Sequence, residues 1–259
     1  MVNRYRQLAF IIFLSLGMMS SELAADLSTQ KALQKIVEKE VYLNDLCVES
    51  QKIIAVLADP HSGQIVAIAS RSKGEPASLM NALQEANSLK YNPGATINVF
   101  SEQTRSIAGL EKSVTQMQMV MAYSAIANGG LLLTPSFASA SQNRAPSGVR
   151  ILSRNDSAAL KNFLRQNVLE SDSLLLARVK GMDVAGCAGH ASQSRWLGLS
   201  SSTTASFTGF FPAKHPEYVC LVVVQDAHVL PKYIRGSLVA APCFSEIAAK
   251  SKRYLKGAD

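Results

Sequence analysis

A mixed α/β domain is what this sequence predicts, and three observations predict it. Two β-branched runs flank a turn early in the chain, three strand-like runs fill its last third, and helical periodicities lie before, between and after them. The early runs, Lys52–Ala58 and Gln64–Ala69, are apolar on both faces, so their sheet needs cover on both sides. With 259 residues, 47% of them hydrophobic and 17% charged, the chain suits one large domain or two packed layers rather than several small modules.

Arg4 and Arg6 precede an apolar run from Leu8 to Met19, and Ser20-Ser21-Glu22-Leu23-Ala24-Ala25 follows. A basic start, a short apolar run and a small-residue exit read as a secretory signal, cleaved near Ala24 or Ala25, or as an N-terminal anchor. Residues 1–25 are therefore expected to be a leader, and residues 26–259 a folded domain outside the cytoplasm. Thr29–Leu43 has Leu33, Ile36, Val37 and Val41 near one helical face. Between the two early strands, Asp59-Pro60-His61-Ser62-Gly63 is a hairpin turn, with His61 expected in solvent. Leu79–Ala86 is partly helical in pattern. Pro93-Gly94 then ends an extended run, and a helix opening at Ala95 or Thr96 puts Ala95 and Asn98 on one face. Thr96 is expected to cap that helix.

Val99–Glu111 reads as a short mixed segment. Thr115 caps a helix through Asn128, which Gly129-Gly130 stops. That helix is apolar on nearly all sides, so it is expected to be buried, its methionines serving as core filler. Ser136–Val149 reads as loop and Asp156–Val168 as helix. Gly181–Ser192, Ala205–Phe211 and Tyr218–Gln225 are the late strands, with Pro212–Pro216 as a turn. Pro242–Leu255 closes the chain as a helix, Pro242 being suited to its first turn.

The net charge is +7, which favours anionic partners such as lipid headgroups or cell-wall polymers. There is no basic helix in this reading, no run of five or more Lys/Arg and no aromatic-basic interleaving, so nucleic acid is not an expected partner. The spacing of Cys47, Cys187, Cys220 and Cys243 fits no zinc motif and leaves all three disulfide pairings open. Buried free thiols are expected, with no metal and no cofactor.

Taken in order, several stretches resemble the transpeptidase domain of penicillin-binding proteins, particularly the class B type. Ile54–Ser70 (IAVLADPHSGQIVAIAS) looks like that family's first hairpin. Asn81–Phe100 (NALQEANSLKYNPGATINVF) looks like the approach to its Ser-x-x-Lys helix. Val114–Gly130 (VTQMQMVMAYSAIANGG) is similar to its buried helix, with Gln116 where proline is usual. Val184–Ser192 (VAGCAGHAS) resembles its Lys-Thr-Gly-Thr strand, and Ser206–Pro212, Tyr218–Asp226 and Gly236–Ile247 resemble its remaining strands and final helix. The resemblance implies a five-stranded, mainly antiparallel sheet with helices on both faces, in the penicillin-binding transpeptidase and β-lactamase-like manner. The helical subdomain is reduced, because only 14 residues separate Asn98 from Ser113 where the family carries Ser-x-Asn on a long insertion.

Acyl transfer in such a domain needs a serine hydroxyl, a lysine to manage its proton, and oxyanion donors. Here the first motif reads Ala95-Thr96-Ile97-Asn98 and the third Cys187-Ala188-Gly189-His190. Ala95, Asn98, Cys187, Ala188, Gly189 and His190 are thus degenerate active-site positions, and no catalytic residue is assigned. Thr96 is one position off, about 100° round a helix. Cys187 and His190 are the rival pair for a relocated enzyme, but residues three apart on a strand face opposite ways. Asn98 is expected to bridge the cleft as a buried amide. The retained Gly189 suggests that a peptide could still lie along Val184–Ser192 by backbone pairing. The expected function is a non-catalytic pseudo-transpeptidase that binds in the cell envelope, with peptidoglycan peptides or envelope proteins as partners. A peptide or muropeptide receptor, and an enzyme using Cys187 and His190, are the alternatives.

Overall fold

A computed structural model describes residues 26–137, 147–195, 200–229 and 234–256. The expected leader lies outside the described residues, and no helix within them is long and apolar enough to cross a membrane.

Helix α1 spans residues 26–48, longer than its sequence pattern, and buries Leu33, Ile36, Val37 and Val41 as that pattern requires. The hairpin follows, β1 (Lys52–Ala58) and β2 (Ile65–Ser72), paired antiparallel. Its turn is held by Ser62 Oγ donating to Asp59 Oδ2 at 2.7 Å, an Asp-led turn of the kind the sequence signals. A two-residue strand β3 (Glu75–Pro76) then lies on the outer side of β2, a place where proline's missing N–H costs nothing. Helix α2 (Leu79–Ser88) is capped by Ser78.

Strands β4 (Lys90–Tyr91) and β5 (Val114–Thr115) pair and so close the short segment 92–113, which holds helix α3 (Glu102–Ile107). Thr115 caps helix α4 (Gln116–Ala127) through a reciprocal capping box with Gln118. Every α4 residue except Gln118 is buried, so its methionines are core. The stretch expected to be loop is partly strand, for β6 (Leu131–Leu133) pairs with β7 (Gly148–Arg150). Alternation in so short a run is too brief to show in sequence; residues 138–146 lie outside the described residues. Helix α5 (Arg154–Glu170) leads to β8 (Ala185–Arg195), β9 (Ser200–Phe211) and β10 (Tyr218–Gln225). A π-turn at Gly236–Ala240 runs into α6 (Ala241–Ser251), with Pro242 in its first turn.

The main sheet has six strands in the order β3-β2-β1-β10-β9-β8, every pairing antiparallel. Five are the expected strands, and β3 is the addition. Because β10 pairs with β1, the helical middle of the chain runs from β3 at one edge of the sheet to β8 at the other. Alternate residues of β1 enter two separate cores: Ile53, Ala55 and Leu57 meet α1 and α6, while Ile54, Val56 and Ala58 meet α2 and α4. The first core centres on Phe244, whose ring lies 4.6 Å from Phe207 and 5.9 Å from Phe211.

Phe244 is fully buried and Phe163 is 55% exposed. Phe244→Ala should therefore cost about 3–5 kcal/mol in urea unfolding, while Phe163→Ala should stay within about 0.5 kcal/mol. Equal effects would contradict this account of the core.

Candidate functional site

The segment after Pro93-Gly94 folds as a 3₁₀ turn over Gly94–Val99 rather than as an α-helix. At three residues per turn, side chains at i and i+3 eclipse, so Ala95 and Asn98 still share a face. Both are exposed. Thr96 and Ile97 point inward. Thr96 does not cap the turn as expected: the cap position is Pro93, which offers no side-chain acceptor, and Thr96 Oγ1 instead donates back to the Pro93 carbonyl at 2.8 Å. The Thr96 carbonyl in turn accepts from Tyr123 Oη of α4 at 2.9 Å. Burial, then neighbouring Cys187 and Tyr91, hold the Tyr123 pKa well above its ordinary value, so the hydroxyl keeps the proton this bond needs. Asn98 is likewise not the buried amide expected, because its side of the turn is open to solvent. It stands in a groove of about 520 Å³ with Asn92, Glu102, Arg105, Glu111 and Lys112.

Strand β8 brings the third motif against this turn. Cys187 lies opposite Thr208, Gly189 opposite Ser206 and His190 opposite Ala205 on β9. Cys187 packs into the core beneath α4, whereas Ala188 packs into the core of α1 and α6. By strand alternation His190 shares the side of Ala188, so the thiol and the imidazole face opposite ways, as their spacing requires. The thiol donates weakly to the Ala188 carbonyl at 3.6 Å, and burial pushes its pKa up to about 11. A nucleophilic cysteine needs the opposite shift. Of the remaining thiols Cys220 and Cys243 are buried and Cys47 is exposed, which corrects the expectation for Cys47; all are free. Helix α1 runs on to residue 48, and Cys47 falls on its solvent side.

Glycine at 94 and 189 is a packing requirement. Gly94 has φ +58°, and a Cβ there would meet the His190 carbonyl oxygen and lie 2.7 Å from the His190 nitrogen. At Gly189 a Cβ would strike the Pro93 carbonyl and come within 2.8 Å of Ser206 Oγ. The glycine that suggested a surviving peptide groove thus also meets a packing need, the close approach of the strand to the chain's own turn. The outer edge of β8 is also occupied further along, since Asn167 Nδ2 of α5 donates to the Gly186 carbonyl at 3.0 Å. Alternate residues turn their main-chain groups to the same edge, so Gly186, Ala188 and His190 share it. The expected peptide seat along Val184–Ser192 is covered at two of these three places.

Sequence reasoning missed Tyr123, Ser206 and Thr208, which meet the motifs only through contacts far apart in the chain. Ser206 Oγ and Thr208 Oγ1 are buried without a hydrogen-bond partner among the described residues. Both lie beside the third motif, but at no more than 1% exposure neither reaches a substrate. No group of three or more His, Cys, Asp or Glu among the described residues is placed to hold a metal ion.

Comparison with known proteins agrees with this geometry. Residues 101–249 match the family described as the penicillin binding protein transpeptidase domain, a match that starts beyond Asn98 and includes Cys187–His190. The probable peptidoglycan D,D-transpeptidase PbpC of Pseudomonas aeruginosa is 31% identical over 63% of this chain and 29% of its own. The probable peptidoglycan D,D-transpeptidase PenA of Neisseria gonorrhoeae is 28% identical over 60% of this chain and 26% of its own. The chain thus spans between a quarter and a third of the length of these relatives. Two solved structures share the fold. The transpeptidase domain of the FtsI4 D,D-transpeptidase from Legionella pneumophila has a TM-score of 0.63 at 22% identity, over 85% of this chain and 96% of that one. The corresponding domain of penicillin-binding protein 3 from Burkholderia pseudomallei gives 0.68 at 16% identity, over 87% and 95%.

The state of the Cys187 thiol can be measured directly. With its pKa near 11, iodoacetamide at pH 8 should alkylate Cys187 roughly a hundredfold more slowly than it alkylates free cysteine in solution. The rate should climb about tenfold per pH unit until the pH approaches that pKa. Alkylation as fast as that of free cysteine at pH 7 would show an activated thiol.

Proposed function

Because this chain belongs to the penicillin-binding protein transpeptidase family, we propose that it is a non-catalytic member that works by binding in the bacterial cell envelope, outside the cytoplasm. The observation carrying this reading is Ala95: an exposed methyl group at the place where acyl transfer needs an attacking hydroxyl. Asn98, one turn on, has no titratable proton to manage. Oxyanion stabilisation needs N–H donors aimed into open space, and the His190 main chain is instead packed against Gly94.

Replacement groups fail on geometry. The Thr96 hydroxyl is buried and bonded to Pro93. The Cys187 thiol is protonated near neutral pH and faces away from His190. A unit whose members act together loses nearly all its activity with any one of them, and here Ala95, Asn98, Cys187, Ala188 and His190 all depart from the family's motifs. The receptor alternative keeps one plausible seat, the groove beside Asn98, which is lined by both amides and charges.

Intact-mass spectrometry after incubation with a reactive penicillin tests the reading. No mass gain is expected. A stoichiometric adduct on any residue would show an acylating enzyme and overturn it.

A further inference from the structure

The surface built on α1 takes no part in the site described above. Lys31, Lys35 and Lys39 recur every fourth residue and stand exposed in one row, about 12 Å long. This row amends the sequence reading, which found no basic helix: the interleaved Glu38 and Glu40 hide it in composition. On one side, a groove of about 730 Å³ between α1 and the end of α6 adds Lys250, Lys252 and Arg253. On the other, a groove of about 410 Å³ between α1, β2 and α2 is lined by Leu27, Leu79, Leu83 and Phe137. Lys35 borders both grooves, so they form one surface.

Two of the three carboxylates of this face are paired with a cation, and Glu38 keeps its charge beside the row. Glu40 and Glu246 both hold Lys250, at 2.7 and 3.0 Å, and Glu38 accepts from Gln34. Lys31, Lys35 and Lys39 form no ion pair with a carboxylate among the described residues. Beside them Leu27, Leu79 and Phe137 are exposed, and neighbouring Met80 is 73% exposed. Free cations next to protruding apolar side chains match the two layers of a lipid interface, phosphate outside and acyl chain beneath.

We propose that this face seats the domain on an anionic phospholipid surface, with the lysine row on the headgroup phosphates and Leu79 and Met80 at the acyl boundary. Charge complementarity supports it, and so does chain length. The Leu8–Met19 run ends seven residues before residue 26, a span of at most about 25 Å. The proposal rests in part on the reading that this run holds the chain at a membrane.

The test reconstitutes the full chain with phosphatidylglycerol-rich or pure phosphatidylcholine vesicles and maps lysine acylation by mass spectrometry. Lys31, Lys35 and Lys39 should be protected at least about fivefold by the anionic vesicles. About 0.5 M salt should remove the effect, and Lys112, in the groove beside Asn98, should label equally in both. Equal labelling of the row in both vesicle types overturns the proposal, as does protection by soluble polyphosphate but not by vesicles. If the chain leaves phosphatidylcholine vesicles unbound, the anchor reading fails. Co-sedimentation with phosphatidylglycerol alone then supports the face by itself, and co-sedimentation with neither overturns it. The variant Lys31→Gln/Lys35→Gln/Lys39→Gln, checked for an unchanged thermal transition, should lose the salt-sensitive protection at Lys252; retained protection there would count against the row.

Discussion

Three layers of backbone meet at one point, and glycine in each layer lets them close. Gly94 of the 3₁₀ turn rests on His190, Gly189 of β8 rests on Pro93, and on the other side of the strand pair Gly236 would carry a Cβ only 2.5 Å from the Gly189 carbonyl. Any side chain there would force the turn, the strand pair or the π-turn apart. From this contact the rest follows. The turn is pinned to the edge strand from outside, and Tyr123 of the fully buried α4 holds it from beneath through the Thr96 carbonyl. Helix α4 in turn packs on β1 and β10, so the first-motif turn is tied to the centre of the sheet.

Rigid placement of the turn decides what its side chains can do. Ala95 and Asn98 are held at the surface with neither a nucleophile nor a base between them. Thr96, Tyr123 and Cys187 are on the buried side, and there desolvation keeps the Tyr123 and Cys187 protons on. An active site needs reactive groups in contact with both substrate and solvent-borne protons; this arrangement separates them. The fold therefore keeps the scaffold of the transpeptidase family, and a non-catalytic role is the reading proposed for it, with the groove beside Asn98 and the face of α1 as its exposed features.

The parts of this structure that sequence revealed are those with strong local causes. The β1–β2 hairpin shows itself in two doubly apolar runs around Asp59-Pro60, and α4 in a Thr115 cap, an all-apolar body and a glycine stop. The opposed faces of Cys187 and His190 follow from strand alternation alone. What stayed hidden depends on distant contacts or on runs too short for periodicity. Strands β3, β4 and β5 have two residues each. An α-helix and a 3₁₀ turn put Ala95 and Asn98 on one face alike, so spacing could not separate them, and the bond from Thr96 to Pro93 has no sequence sign. Gly189 suggested a ligand in the sequence, where its close approach to Pro93, nearly a hundred residues earlier in the chain, left no sign.

The central claim is that chemistry is missing from the whole site and not from one position. Restoring the first motif with Ala95→Ser/Asn98→Lys and measuring penicillin acylation by intact mass tests it most directly. The account predicts a folded variant with no adduct, because Cys187–His190 and a connection of only 14 residues between Asn98 and Ser113 leave the restored pair without the partners it acts with. Stoichiometric acylation at position 95 would contradict it, and would show that the scaffold still holds a working site from which only two side chains had been removed.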